Sequence, residues 1–459
     1  MDLRLISGIA IGKLTAWALK AKGGGATAAP GLYALKIDTD LVKKLCANLK
    51  YGSIVVSGTN GKTTTSRLIT QILAAKYKTI HNRQGSNLLR GIASTLLKKS
   101  SIFGNLDVDL AIWEVDEATL PQALENVNPK MVVLLNLFRD QLDRYGEVDT
   151  VRTKWQKALA MQPKDTTLIA NADDPGIAFL AKNFKGKVIY FGVEEKNINL
   201  PQISQVADVR NCPNCSTKLN YSLILSAHEG YYTCPNCNFK RPKPQVSSSN
   251  IKFNKDFSTN TRLTINDKLL TISYQLPGLY NVYNVLAALS ASSALNIGVN
   301  SAAKELESFS SAFGRFQKIK VGDKNVMIFL IKNPAGANEV LRTIANQKEI
   351  NLLSILNDNF ADGRDVSWIW DTNWEILKNN IKSVTVSGLR AWDLAARFKY
   401  AQFKLSKNNI VEDISYSLNF SLGKLKENDT LFILPTYTAL LEVQKTLSKL
   451  TKGVKWHNQ

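Results

Sequence analysis

An α/β protein is what the sequence predicts, with a phosphate-binding loop at the head of a mainly parallel sheet and a second α/β domain behind it. Three observations predict it. Ser53-Ile-Val-Val-Ser-Gly58-Thr59-Asn60-Gly61-Lys62-Thr63-Thr64-Thr65 passes from a β-branched run through a glycine turn into Leu68, Ile69, Ile72 and Leu73 at helical spacing. Short apolar runs then alternate with helical stretches, and the alternation restarts near residue 318; strands alternating with helices make parallel sheets. Between them lie two Cys-Pro-Asn-Cys knuckles, Cys212/Cys215 and Cys234/Cys237.

The 459 residues suffice for two or three domains with their own cores. An N-terminal helix and a Gly/Ala/Pro connection, Gly23 to Gly31, form a lead-in over 1–50. A nucleotide-binding region spans 51–317. Its expected elements are helices to Ala75, over Leu88–Lys98, Leu120–Val127 and Thr150–Met161, and strands at Val108–Val115, Met131–Leu137, Thr167–Ala170 and Val188–Phe191. A cysteine ribbon interrupts this region at 205–245. Short β segments (Leu263–Ile265, Leu269–Tyr274) and a helix from Val282 to Ala294 follow it. The C-terminal domain, 318–459, carries strands at Val326–Ile331, Leu352–Leu356, Ser383–Val386 and Thr430–Ile433.

The loop Gly58–Thr64 is built for phosphate. Glycines let backbone N–H groups approach anionic oxygens, and the following helix adds its N-terminal dipole. Lys62 can reach the β- and γ-phosphates, and the Thr63 hydroxyl can ligate magnesium. The usual GxxxxGK[ST] spacing would place its first glycine at Val56, so this loop is a shorter form. Ligands of open α/β sheets gather at strand C-termini. Glu114 and Asp116 stand there, as do Asn136, Asp140 and Asn171-Ala-Asp173-Asp174. Two cysteine pairs separated by 18 residues offer zinc four thiolates on tight turns and leave no open position, so the metal is structural. Disulfides are the rival, and a cytoplasmic setting argues against them.

The formal charge of +20 favours anionic partners. No apolar run approaches the ~18 residues needed to span a bilayer, and Leu3 to Leu19 is interrupted by Lys13 without a cleavage site. A cytoplasmic protein is expected, with a first helix able to touch a membrane surface. A nucleic-acid-binding ATPase is a rival reading, because Lys218, Tyr221, Tyr231, Tyr232, Phe239, Lys240 and Arg241 interleave basic and aromatic residues in the ribbon.

Together GTNGKTTT, Glu114, Asp140–Asp143, Asn171-Ala-Asp-Asp, Gly278-Leu-Tyr280-Asn281-Val-Tyr-Asn284 and Gly314-Arg315-Phe316 resemble the Mur ligase superfamily. The ribbon, Asn357–Asp371 and Ser387-Gly-Leu-Arg390-Ala-Trp-Asp393 resemble its MurT branch, the ligase-like subunits of lipid II isoglutaminyl synthase. The likeness runs from residue 2 to 450. It implies that ATP activates the α-carboxylate of D-glutamate in lipid II as an acyl phosphate, and that ammonia displaces phosphate to leave D-isoglutamine. It implies that Lys62 and Thr63 hold the triphosphate, that Thr63 and Glu114 share magnesium, and that Asn281, Asn284 and Arg315 approach the nucleotide. Departures are Gln141 where a histidine usually stands, Trp155 (with Lys154 beside it) where many relatives carbamylate a lysine, and Lys332-Asn333-Pro334 for His-Asn-Pro. A second magnesium is not assigned.

Glutamine hydrolysis needs an activated thiolate beside a base. Outside the ribbon there is Cys46, in an apolar helical stretch, and the histidines are His81, His228 and His457. The chain therefore needs free ammonia or a separate glutaminase. The resemblance implies a GatD-like class I glutamine amidotransferase in a heterodimer, its histidine oriented by a carboxylate from Asp358–Asp371: Asp371 first, Asp365 second. Trp368 and Trp370, if exposed, would anchor that interface. A folylpolyglutamate synthase, or a muropeptide ligase that adds an amino acid, is the alternative within the superfamily.

Overall fold

The computed structural model describes residues 2–21, 28–82, 87–140, 148–203, 207–309 and 316–451. Gln141, Asp143, Arg315 and His457 lie outside the described residues.

The larger sheet has nine strands, in spatial order Lys268–Tyr274, Thr259–Ile265, Val246–Phe253, Lys187–Val193, Thr167–Asn171, Met131–Leu134, Ser53–Ser57, Leu110–Glu114 and Thr79–His81. From Val246–Phe253 to Thr79–His81 neighbours pair parallel, and the first two strands close the edge antiparallel. Ser53–Ser57 is buried at every position, as a strand covered on both faces must be. Trp113 and Trp155 fill one face of the sheet, and the helix Leu279–Ala294 fills the other. The second sheet runs Phe316–Val321, Lys324–Phe329, Thr430–Pro435, Ile350–Ile355, Ile381–Ser387 and Ile410–Val411, parallel apart from its first pair.

Three expected elements differ from those observed. A helix, Ala29–Ile37, begins inside the expected Gly23–Gly31 connection; Pro30 is tolerated there because the first helical turn needs no N–H. The strand expected over Met131–Leu137 ends at Leu134, because the chain bends so that Asn136 can meet the phosphate loop. Val246–Phe253 was not expected as a strand, since Ser247, Ser248 and Ser249 hide its pattern. The ribbon hairpin, Asn220–Ser226 with Glu229–Thr233, packs Tyr232 and Phe239 against Ala178 of the sheet domain.

Candidate functional site

The phosphate loop sits where Ser53–Ser57 hands over to the helix Lys62–Ala74. Gly61 has φ 89°, and a Cβ there would stand 2.1 Å from Asn284 Oδ1, so only glycine fits. Asn136 clamps the loop by accepting from Asn60 N–H at 2.8 Å. Thr59 Oγ1 donates to Phe138 O and accepts from Phe138 N–H, both at 2.9 Å.

Lys62 is buried and folds back over this loop. Its Nζ donates to Gly58 O at 2.6 Å and to Glu117 Oε2 at 2.8 Å. Burial opposes the charge on Lys62, yet the carboxylates of Glu117, Asp116 and Glu114 hold its ammonium above the usual lysine range. Burial likewise opposes the charge on Glu117, and Lys62 with Lys332 outweighs it, holding that carboxyl below the usual range. Glu117 is a residue that sequence reasoning missed; it lies next to Asp116, on the turn after Leu110–Glu114. Trp155 braces it, donating its indole N–H to Glu117 O at 2.8 Å, while Lys154 is exposed.

Thr63 Oγ1 donates to Glu114 Oε1 at 2.8 Å, and Asn87 Nδ2 donates to the same oxygen at 2.8 Å. A hydroxyl and a carboxylate in contact at a strand end are hard oxygen donors of the kind magnesium takes. Asn284 lies beneath Gly61: it accepts from Thr65 Oγ1 at 3.2 Å and donates to Asn281 Oδ1 at 3.0 Å. Asn281 in turn donates to Pro277 O at 2.7 Å. Asn281 and Asn284 thus brace one another beside the loop. A pocket opens from Asn60 and Gly61 between Tyr280, Phe138, Gly336 and Val340.

The C-terminal domain reaches the same loop. Asn333 caps the helix Pro334–Ile344, accepting from Gly336 N–H at 2.8 Å, and its amide donates to Asn60 Oδ1 at 3.1 Å. Lys332 Nζ pairs with Asp140. A cleft lined by Arg139, Lys332, Asp365, Trp368 and Asp371 lies between the domains. Asp371 is partly exposed, 3.4 Å from Arg139. Asp365 accepts from Ser367 N–H at 2.8 Å and so caps a short turn. Asp362 is buried and accepts from Thr438 N–H, as the turn-like Asp362-Gly363 suggests. Trp370 is exposed and Trp368 half-buried.

Asn171, Asp173 and Asp174 do reach the sheet edge, but they hold the fold together. Asp174 caps the helix Pro175–Lys182, and Asp173 accepts from Arg241 and Tyr283. Arg241 and the aromatic residues Tyr231, Tyr232 and Phe239 of the ribbon are similarly used inside the protein, while Lys240 is exposed. Tyr232 and Phe239 are buried, and Tyr231 donates to Glu194 at 2.9 Å under the Arg241 guanidinium. They form no open stacking platform. Cys46 is buried, and burial pushes its thiol up to about 12; that is the opposite of an activated nucleophile.

The four ribbon sulfurs lie within 4.8 Å of one another, with Cys212–Cys237 and Cys215–Cys234 at 3.5 Å. A tetrahedral site with ~2.3 Å metal–sulfur bonds needs sulfurs about 3.8 Å apart, so the cluster fits a tetrahedral metal ion. Hydrogen bonds from Thr217 lower the Cys215 thiol to about 6.

Glu229, at the turn of the ribbon hairpin, is buried beside the pocket. Burial and the nearby Asp174, Asp173 and Glu339 raise its carboxyl well above the usual range, favouring its neutral form. A raised folded pKa contributes stability fully present below the unfolded value and lost as pH rises. Glu229→Gln, which keeps the acceptor for Asn171, should raise the melting temperature by roughly 2–4 °C at pH 8. A calorimetric series should show that gain vanish towards pH 4.

Family models match on both halves: the Mur ligase middle domain over residues 56–237 and the MurT ligase C-terminal domain over 330–440. Among curated proteins, the lipid II isoglutaminyl synthase (glutamine-hydrolyzing) subunit MurT of Staphylococcus aureus is 34% identical, over 98% of this chain and 99% of its own. The subunit of the same name from Streptococcus pneumoniae is 32% identical over 98% of each chain. Solved structures share the fold. A pseudomurein peptide ligase type C from Methanothermus fervidus has a TM-score of 0.66 at 21% identity, covering 88% of this chain and 79% of that one. MurF from Acinetobacter baumannii has 0.66 at 17%, covering 92% and 80%. With one-third identity running the length of both chains, and both domain models matched, this chain belongs to the MurT family of Mur-ligase-fold enzymes.

Proposed function

We propose that this chain is the carboxylate-activating subunit of a lipid II isoglutaminyl synthase. The α-carboxylate of D-glutamate in lipid II attacks the γ-phosphorus of ATP, releasing ADP and forming an acyl phosphate. Ammonia then adds to that carbonyl and phosphate leaves with the C–O bond electrons, giving D-isoglutamine. The observation that carries the reading is the buried Lys62, whose ammonium lies on the phosphate-loop carbonyls beside the Thr63–Glu114 pair. In this role Lys62 leaves Glu117 for the transferring phosphoryl group, where positioning and charge neutralisation supply most of the catalysis. Magnesium on Thr63 and Glu114 would neutralise phosphate charge. Gly58 to Thr64 cradle the phosphates, Asn281 and Asn284 stand beside that loop to contact the nucleotide, and Arg315 approaches it from the domain hinge. Zinc suits the four-cysteine cluster.

The inert Cys46 motivates the second half of the reading. Ammonia comes from a GatD-like class I glutaminase in a heterodimer, with Asp371, and next to it Asp365, as the carboxylate lent to the partner. The test supplies ATP, magnesium and lipid II with either ammonium or glutamine, and follows the stem peptide by mass. The expected change is a loss of ~1 Da at the glutamate, with ammonium for the chain alone and with glutamine only when the glutaminase is added. Incorporation of an added amino acid would instead make the chain an amino-acid ligase.

Among the described residues no helix is long and apolar enough to cross a membrane. We place the chain in the cytoplasm with its N-terminal helices against the bilayer. Leu3, Leu14 and Trp17 are exposed on Leu3–Ala21, as are Tyr33 and Ile37 on Ala29–Ile37, and Arg4, Lys20 and Lys36 are exposed on the same two helices; exposed apolar residues accompanied by basic ones suit an anionic interface. Trp17→Asp should reduce sedimentation with phosphatidylglycerol vesicles by about tenfold. Equal sedimentation of both proteins would remove that face from the membrane.

A further inference from the structure

The metal-binding knuckles stand at one end of the hairpin Asn220–Ser226/Glu229–Thr233 and its turn at the other. Seven strand residues at ~3.3 Å each put about 20 Å between them. A turn that far from its anchor is ordinarily a surface feature. This one is buried: Leu225 and His228 are 0% exposed and Glu229 is 4% exposed.

Two domains hold it. On the central side, Asp208 N–H donates to His228 Nδ1 at 3.3 Å. That leaves Nε2–H facing Asp174 Oδ2 at 3.4 Å. Asn171 Nδ2 donates to Glu229 Oε1 at 2.9 Å, and Gly230 N–H donates to Asp173 O at 2.9 Å. On the C-terminal side, Ser226 Oγ donates to Glu339 Oε1 at 3.0 Å. Arg342 donates to Leu225 O at 2.9 Å and to Glu339 Oε1 at 2.7 Å. Glu339 and Arg342 belong to Pro334–Ile344, the helix whose capping residue Asn333 touches Asn60 of the phosphate loop. Ser226 and Glu229 also line the pocket that opens from Gly61.

We propose that the four-cysteine ribbon anchors an interdomain latch: a tetrahedral metal ion at the knuckles holds the hairpin turn Ser226–Glu229 in place, and the turn seats the helix Pro334–Ile344 over the nucleotide pocket. The proposal rests on the nucleotide reading of that pocket. Ser226, His228 and Arg342 are positioning residues; they shape the pocket through the elements they join. Without the metal the two strands lose their common anchor, the turn loses register, and the C-terminal helix loses the two hydrogen bonds, Ser226–Glu339 and Arg342–Leu225, that seat it on the turn.

The experiment titrates MgADP calorimetrically into the full chain in four forms: as purified, chelated, chelated then reloaded with zinc, and Arg342→Ala with its cysteines intact. Small-angle X-ray scattering and thermal unfolding are measured on each. Arg342 lies outside the phosphate site, and its loss frees only the hydrogen bonds to Leu225 and Glu339. The expected result is Kd for MgADP about tenfold higher in both the chelated and Arg342→Ala forms, with a larger radius of gyration in each. Zinc restores the chelated form and leaves Arg342→Ala unchanged. A ribbon that merely stabilises its own domain would lower the melting temperature on chelation and leave Kd and radius of Arg342→Ala at the wild-type values, which overturns the latch. No MgADP binding by the as-purified protein would overturn the nucleotide reading itself, a result the latch variants cannot mimic.

Discussion

Lys62→Ala should lower ATP-dependent amidation by at least about 10²–10³-fold, on the scale of losing one preorganised charge partner at a developing anion, and should do so with ammonium or glutamine as nitrogen source. It also destabilises the protein. Lys62 and Glu117 are 5% and 6% exposed and pair at 2.8 Å. Removing one partner leaves a buried uncompensated charge, which costs about 3–5 kcal/mol. The two effects separate in the double variant Lys62→Ala/Glu117→Gln. With no stranded charge it should recover most of the lost stability in denaturant titrations while staying inactive. Recovery of activity along with stability would mean that Lys62 serves only the fold. The sign with pH follows from Glu117: its carboxyl is held below the usual range, so the pair's contribution is present above the unfolded carboxylate pKa and is lost as pH falls through the folded value. Wild type should therefore lose stability on acidification more steeply than the double variant.

Asp371→Asn is expected to divide the two nitrogen sources. Its carboxylate is partly exposed at the interdomain cleft with Arg139 at 3.4 Å. A carboxylate lent to a partner's histidine holds the tautomer and stabilises the imidazolium, and exchanging such a group for its amide costs on the order of 10⁴ in kcat. Glutamine-dependent amidation should collapse on that scale while ammonium-dependent amidation stays within about twofold. Asp365 already accepts from Ser367 N–H as a turn cap, so Asp365→Asn should have the smaller effect. Equal loss with both nitrogen sources would place Asp371 in this chain's own acyl-phosphate chemistry, where Arg139 and Lys332 also line the cleft.

Much of the site was legible because its signals are local. The glycine turn, Lys62 and Thr63 follow one another in the chain, and the positive φ of Gly58 and Gly61 is what such a loop demands. Glu114 was legible because a carboxylate at a strand's C-terminal end has one place to go, and it meets Thr63. The cysteine spacing announced its cluster for the same reason: each knuckle is a turn of four residues. Glu117 was not legible, although it adjoins Asp116, because only the packing of Trp155 against its backbone shows which of three neighbouring acids reaches Lys62. Asn87 carried no signal at all. Pairings across domains, such as Lys332 with Asp140 and Asn333 with Asn60, leave no periodic trace in either segment.

The ribbon marks the boundary between the two kinds of information. Its chemistry, four thiolates on two turns, was determined by the sequence alone, because ligand type and short-range spacing decide a metal site. Its destination was decided only by the tertiary structure. Whether a hairpin turn faces solvent or lies between two domains depends on Asp174 and Asp208 on one side and on Glu339 and Arg342 on the other, two pairs more than 100 residues apart along the chain. Burial of His228 and Glu229 is a property of what closes over them. Local order follows from neighbouring residues, whereas the burial and charge state of a side chain follow from the whole assembly of elements that exclude water around it.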